Sequence, residues 1–424
     1  MRIIKYPKPE TFEELSRRPE LDRGQLEVTV VTILEMVRSE GDIALKRYSK
    51  EFDQVEIDNF QVSQKEFQQA THHISTELKE AIKVSKNNIE KFHRSQVQPD
   101  KIIETMPGVS CWQRSTAIEK VGLYVPGGSA PLFSTLLMLG TPARLAGCEE
   151  IVVCTPPTKN GSIDDTILYV ASELGIQKVY KTGGAQAIAA MTFGTETIPK
   201  VYKIFGPGNQ YVTVAKQLAQ MEGVAIDMPA GPSEVAIVAD HAANPVFIAA
   251  DLLSQAEHGP DSQVLLVTTE EYLIDKVQSA LEEQLKTLPR RELAEKSLAN
   301  SKLVLVDTMK MAMNLINLYA PEHLILMVSD PQKLATQVKN AGSVFLGLYT
   351  PESAGDYASG TNHTLPTNHY ARMYGGVSLD SFQKSITFQD ISREGLDILG
   401  PTIQKMAESE KLTAHSQAVT VRLS

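Results

Sequence analysis

The spacing of apolar residues changes character along the chain. Over the first hundred residues it is helical: Leu78, Ile82, Ile89 and Phe92 fall on one face of a long helix. Thr11 with Glu14, and Ser63 with Glu66, stand at capping-box spacing and predict two helix starts. Ile102 to Ala117 reads as a hairpin turning at Pro107-Gly108. From Val121 onward, short β-branched runs alternate with helical patterns. Val121–Val125, Ile151–Cys154, Val179–Lys181 and Val201–Phe205 are each followed by a helical stretch, which predicts a parallel, doubly wound sheet. A second α/β stretch runs through Val235–Val238, Val264–Val267, Leu303–Val306, Leu324–Val328 and Val344–Leu346. From about Ser378 the pattern reads mainly as helix, ending at Leu423. The expected fold class is therefore α/β: two units with helical N- and C-terminal extensions, and boundaries near Gly122 and Gly231.

Composition narrows the class. The chain has 424 residues, enough for two or more domains, and 42% of them are hydrophobic, as in ordinary globular proteins. A net charge of -10 and the lack of a dense Lys/Arg stripe argue against nucleic acid as a partner. No apolar run reaches the roughly 18 residues that a membrane span needs, and the first residues lack a signal-peptide core. Cys111, Cys148 and Cys154 form no CxxC pair, which suits a reducing compartment, and the cytoplasm is expected.

Three glycine-rich turns fall where strands should hand over to helices: Pro126-Gly127-Gly128-Ser129, Gly183-Gly184-Ala185-Gln186 and Gly206-Pro207-Gly208-Asn209. Such turns let backbone N–H groups approach an anion at a helix N-terminus. None matches GxGxxG, and one alone is ordinarily just a tight connection. Three in one sheet point to a ligand crevice.

Four stretches concentrate polar groups. Ser254-Gln255-Ala256-Glu257-His258-Gly259-Pro260 closes a helix begun near Pro245, and Gln255 and His258 are spaced to share the face of its last turn. They could bind a metal together, although capping the helix end is the commoner use of such residues. Glu322-His323 pairs an acid with an imidazole just before a strand, as a base and proton shuttle require; neighbouring side chains diverge, so the two should flank a substrate rather than each other. Glu352 to His363 reads as a loop dense in small and polar residues, offering Asp356 and His363. Glu410 to His415 lies near the C-terminus, where a lone histidine is usually solvated.

In this order these segments resemble the histidinol dehydrogenase family. The resemblance rests on Val121 to Pro131, Gly183 to Ala189, Ile204 to Asn209, Asp227 to Glu234 and Asp251 to Ser262. It continues through Pro321-Glu322-His323-Leu324, Ala341 to Leu346, Pro351 to His363 and Leu412-Thr413-Ala414-His415. It covers nearly the whole chain from about residue 20. What it implies goes beyond spacing. Zinc would be held by Gln255, His258, Asp356 and a His415 from the neighbouring subunit of a homodimer, and would anchor L-histidinol. His323 would be the general base, and Glu322 would activate water against a bound histidinaldehyde, so that two NAD are reduced per L-histidine formed. Ser233, His363 and Glu410 match substrate contacts, Glu410 again from the partner, and Tyr124, Gln186 and Asn209 match NAD contacts.

The implied fold has two incomplete Rossmann-like units with terminal extensions exchanged across the dimer. Mapped here, residues 1–22 form an N-terminal helical extension and residues 23–121 with 233–377 a discontinuous first α/β domain. Residues 122–232 form the second, carrying the NAD turns, and 378–424 a C-terminal helical domain. Two other classes compete. A zinc hydrolase of a small amide or ester would use the metal set and Glu322, but leaves three nucleotide-suited turns unexplained. A non-catalytic binding module would have no need of Glu322 and His323.

Overall fold

The computed structural model describes residues 1–18, 23–127, 131–229 and 231–424. Gly128, Ser129 and Ala130 of the first glycine-rich turn, Ala230, and the 19–22 end of the proposed N-terminal extension lie outside the described residues.

The described strands run in chain order: β1 (Arg2–Lys5), β2 (Ile103–Met106), β3 (Val109–Ala117), β4 (Lys120–Tyr124), β5 (Glu150–Thr155), β6 (Lys178–Lys181) and β7 (Lys203–Phe205). They continue with β8 (Ala225–Ile226), β9 (Glu234–Ala239), β10 (Gln263–Thr268), β11 (Lys302–Leu305), β12 (His323–Met327), β13 (Ser343–Leu346) and β14 (Gln383–Ile391). They form a five-stranded sheet ordered β6-β5-β4-β7-β8 and a six-stranded sheet ordered β1-β11-β10-β9-β12-β13, both parallel throughout, and a three-stranded antiparallel sheet β14-β3-β2.

Burial on both faces explains why the parallel strands read as continuous apolar runs. In β9, Val235, Ile237 and Ala239 enter one core while Ala236 and Val238 enter the core on the opposite face. In the five-stranded sheet, Val121, Leu123 and Val153 face one layer, and Tyr124, Val152 and Cys154 face the other. The first layer holds α2 (Thr76–Arg94) and α3 (Phe133–Ala146). The second holds α1 (Arg23–Glu40), α4 (Gly184–Phe193) and α5 (Gln210–Met221). Helices from residues 23–94 thus pack on the 120–226 sheet.

Three local expectations are corrected. Residues 2–5 are a strand pairing with β11, because that edge offers unpaired backbone groups to a short apolar segment. Residues 383–391 are a strand rather than helix, held along its whole length by β3 and by a Trp112–Phe388 stack at 5.3 Å. Helices α8 (Arg393–Ser409) and α9 (Thr413–Leu423) follow and pack on each other. A short helix, Phe12–Ser16, does start after Thr11, but without the capping box: the Thr11 hydroxyl donates to the Lys8 carbonyl at 2.8 Å instead. The Ser63–Glu66 capping box, the hairpin at Pro107-Gly108 and the strand–helix alternation from Val121 form as expected.

Among the described residues no helix is long and apolar enough to cross a membrane. All three cysteines are free thiols, with Cys148 and Cys154 buried.

Candidate active site

In the five-stranded sheet, chain order runs outward from β4 in one direction and from β7 in the other, so the switch point lies between them. Open parallel sheets bind ligands there, beyond the carboxyl ends of the strands. Two of the glycine-rich turns close β6 and β7 at that edge. A cavity of about 920 Å³ opens against them, lined by Asp53, Tyr124, Gly127, Gly184, Gln186 and Asn209 among others. The Tyr124 hydroxyl accepts from the Gly184 N–H at 3.1 Å, tying the turn to β4. The Gly206 turn is fixed by a buried pair: Lys216 donates to the Gly206 carbonyl at 2.9 Å, and Asp227 accepts the Gly206 N–H at 2.8 Å. Asn209 has a structural duty as well, capping α5 by accepting from the Val212 N–H.

A second cavity, of about 480 Å³, lies between this edge and the amino ends of β9 and β12. It is lined on one side by Pro207, Gly208 and Asn209, and on the other by Ser233, Gln255, His258, Glu322, His323, Asp356 and His363. The polar residues reach it because the helices return there. Helix α6 (Pro245–Ala256) runs back from β9, so its last turn brings Gln255 to the amino ends of the strands. His258 lies just past that helix end, in the turn, not on its face. Residues 352–357 form α7 (Glu352–Tyr357) where a loop was expected, and this short helix carries Asp356.

Glu322 and His323 are 7% and 3% exposed, so they are not a surface pair. Nor do they diverge: His323 Nδ1 lies 3.5 Å from Glu322 Oε2, and its Nε2 lies 3.4 Å from Asp356 Oδ1. The peptide of Glu234 orients both, with its N–H donating to Glu322 at 2.8 Å and its carbonyl 3.2 Å from His323 Nδ1. Burial opposes charge on the His323 ring, yet the Glu322 and Asp356 carboxylates outweigh it and lift its pKa well above the ordinary value. Burial raises Glu322, against the pull of His323. For Asp356 burial is overcome by the His323 contact and the nearby imidazoles, which hold it down to about 2. Burial lowers His258 and His363, favouring neutral rings. The Nε2 atoms of His323 and His363 are buried without a hydrogen-bond partner in the chain.

Glu352 is the acidic residue that spacing alone did not single out. It is 1% exposed, and burial pushes its pKa up to about 8. With His323 and Asp356 it forms a group whose ligand atoms lie within 4.8 Å of one another. Its signal in the sequence is its place one helical turn before Asp356. Arg18 was missed too: it forks onto the Glu234 carboxylate at 2.8 and 2.6 Å and stacks over Tyr319 at 3.5 Å. Glu410 and His415 are exposed, at the end of α8 and in the first turn of α9, and do not line either cavity of their own chain.

The donor set of this pocket fits a metal ion. Gln255 offers an amide oxygen, His258 a neutral imidazole and Asp356 a fully ionised carboxylate, and oxygen–nitrogen sets without thiolate suit zinc in a substrate-binding role.

Comparison with known proteins identifies the family. The model of the family described as histidinol dehydrogenase matches residues 16–423. A histidinol dehydrogenase of Bacteroides thetaiotaomicron is 60% identical, the match covering 100% of this chain and 99% of that protein. One from Vibrio cholerae is 51% identical over 97% of this chain and 95% of its own. The crystal structure of histidinol dehydrogenase from Elizabethkingia anophelis superposes with a TM-score of 0.97 at 54% identity, covering 100% of this chain and 98% of that one.

Proposed function

The chain belongs to the histidinol dehydrogenase family, which performs the final steps of histidine biosynthesis with NAD, and we propose that the cavity between its two parallel sheets carries both oxidations. The comparisons give the hydrolase alternative no support. What most favours the cavity is the junction of Glu322, His323 and Asp356 in one buried cluster facing the glycine-rich turns.

Gln255, His258 and Asp356 would hold the zinc, with His415 from a second copy of the chain completing the set. When bound, the ion supplies an anchor for the nitrogens of L-histidinol. NAD would lie along Tyr124, Gln186 and Asn209 and accept the hydride of each oxidation. His323 takes the hydroxyl proton as the carbinol carbon gives up hydride, leaving a C=O bond. Glu322 and Asp356 stabilise the imidazolium that forms. Glu322 then takes a proton from water while the water oxygen attacks the aldehyde carbon, and His323 returns its proton to the former carbonyl oxygen, which forms the hydrate and frees the imidazole to act again. His323 removes the proton of the resulting hydrate as its carbon gives up the second hydride. One water is consumed, and the product is the carboxylate of L-histidine. Ser233 and His363 line the pocket beside the reacting carbon, and Glu410 of the second copy would close it. The two-unit organisation is proposed as Rossmann-like, with the terminal segments exchanged in a homodimer, and the free thiols favour a cytoplasmic setting.

Glu322→Gln separates the two steps. The variant should form one NADH per histidinol and stall with aldehyde bound, where the unmodified protein forms two. Two NADH per histidinol from the variant would remove Glu322 from the water step.

A further inference from the structure

Three residues of α6 converge on a single side of α7. The Asp251 carboxylate faces the backbone N–H of Glu352. Ser254 donates its hydroxyl to Glu352 Oε2 at 2.8 Å. The Gln255 amide satisfies its neighbours in one orientation only: its nitrogen donates to both Glu352 oxygens, at 3.1 Å to Oε2, and its oxygen accepts from the Glu234 N–H at 3.2 Å. Asp251, Ser254 and Gln255 are spaced i, i+3, i+4, so this is one face of the helix directed at one residue, Ser254 and Gln255 at its carboxylate and Asp251 at its backbone.

An amide can turn over at little steric cost, exchanging an oxygen for an N–H that repels a cation. A glutamine ligand therefore needs something to choose its face. We propose that Glu352 is a positioning residue: it captures the Gln255 amide nitrogen and so commits the amide oxygen to the metal pocket, while bracing α6, which carries Gln255, against α7, which carries Asp356. Both Glu352 oxygens are occupied by donors from α6, which sets it apart from the metal ligands despite its closeness to His323 and Asp356. The inference rests on the reading of Gln255 as a zinc ligand.

The test is zinc affinity of the full-length protein, by competition with a chromophoric chelator. The panel is the unmodified protein, Glu352→Ala, Glu352→Gln, Gln255→Ala and the double variant Glu352→Ala/Gln255→Ala. Loss of an outer partner of this kind weakens metal binding by roughly 10–100-fold, the fall expected for Glu352→Ala. Glu352→Gln should recover most of it, because its amide oxygen still accepts from Gln255. In the Gln255→Ala background, Glu352→Ala should add little, since the two act as a unit. Glu352→Gln as weak as Glu352→Ala would make Glu352 a ligand itself and overturn the inference. A Glu352→Ala that melts earlier with zinc affinity intact would reduce it to a structural brace and also overturn it. Unchanged zinc binding in Gln255→Ala would instead defeat the ligand reading beneath.

Discussion

A histidine flanked by two carboxylates is stabilised once it has taken up a proton, and His323 is such a residue. That suits the moment at which it has taken a proton from the alcohol, because charge appears where two anions already face it. Removing the ring removes both the acceptor and its stabilisation. His323→Ala should therefore cut turnover by roughly 10²–10⁴, as loss of a general base does, with histidinol still bound. Steady-state NADH formation checks this, and a near-normal rate would exclude the role. The residue scale also shows where sequence reading stops. Glu322 and His323 were legible as acid and base from their types, but not their approach to 3.5 Å, which the strand start at His323 and the Glu234 peptide impose. Glu352 could not be found by type, because its meaning lies in two donors, Ser254 and Gln255, from a helix about a hundred positions away in sequence.

Among the elements, the proposed catalytic pair depends on where β9 begins. The Glu234 peptide carries that start, and Arg18 pins its side chain in a fork that is 7% and 2% exposed. Deleting one partner of a buried pair strands the other charge, so Arg18→Ala should cost about 3–5 kcal/mol of stability. Chemical denaturation checks this; a loss under about 1 kcal/mol would mean that water reaches the pair. Helix α2 carries a second test. His93 is fully buried, and burial lowers its pKa, against the pull of the Ile89 carbonyl. The folded value lies below the unfolded one. Its stabilising share is therefore complete above the unfolded pKa of about 6.5 and is lost as pH falls toward the folded value. His93→Gln should flatten the decline of Tm between pH 7 and 5; an unchanged slope would assign the acid sensitivity elsewhere. Elements with strong periodicity, such as the parallel strands and α2, were legible in the sequence. β1 and β14 were not, because a four-residue edge and a mostly exposed ribbon are strands only by virtue of distant partners, β11 and β3.

For the whole molecule, the site belongs to the meeting of two sheets rather than to either. The five-stranded sheet presents its carboxyl edge and the six-stranded sheet its amino ends, so nucleotide-suited turns and proton-handling residues face one another across about 480 Å³. A single chain leaves Glu410 and His415 outside that space, and in the proposed dimer they would reach the site of a second copy. Subunit mixing should then rescue two dead variants. In a hybrid of His323→Ala and His415→Ala chains, one of the two sites is intact, so random mixing should restore about a quarter of full activity. No recovery, with hybrids shown to form, would place each site within one chain.

Every role proposed for the pocket depends on how its ligands surround the ion. Crystals grown with zinc and L-histidinol, measured at the zinc absorption edge, locate the metal without assumption. A single anomalous peak should stand about 2.0–2.2 Å from Gln255 Oε1, a His258 ring nitrogen, an Asp356 oxygen and the His415 imidazole of a second copy. A peak held instead by His323, Glu352 and Asp356, with His415 remote, would contradict it.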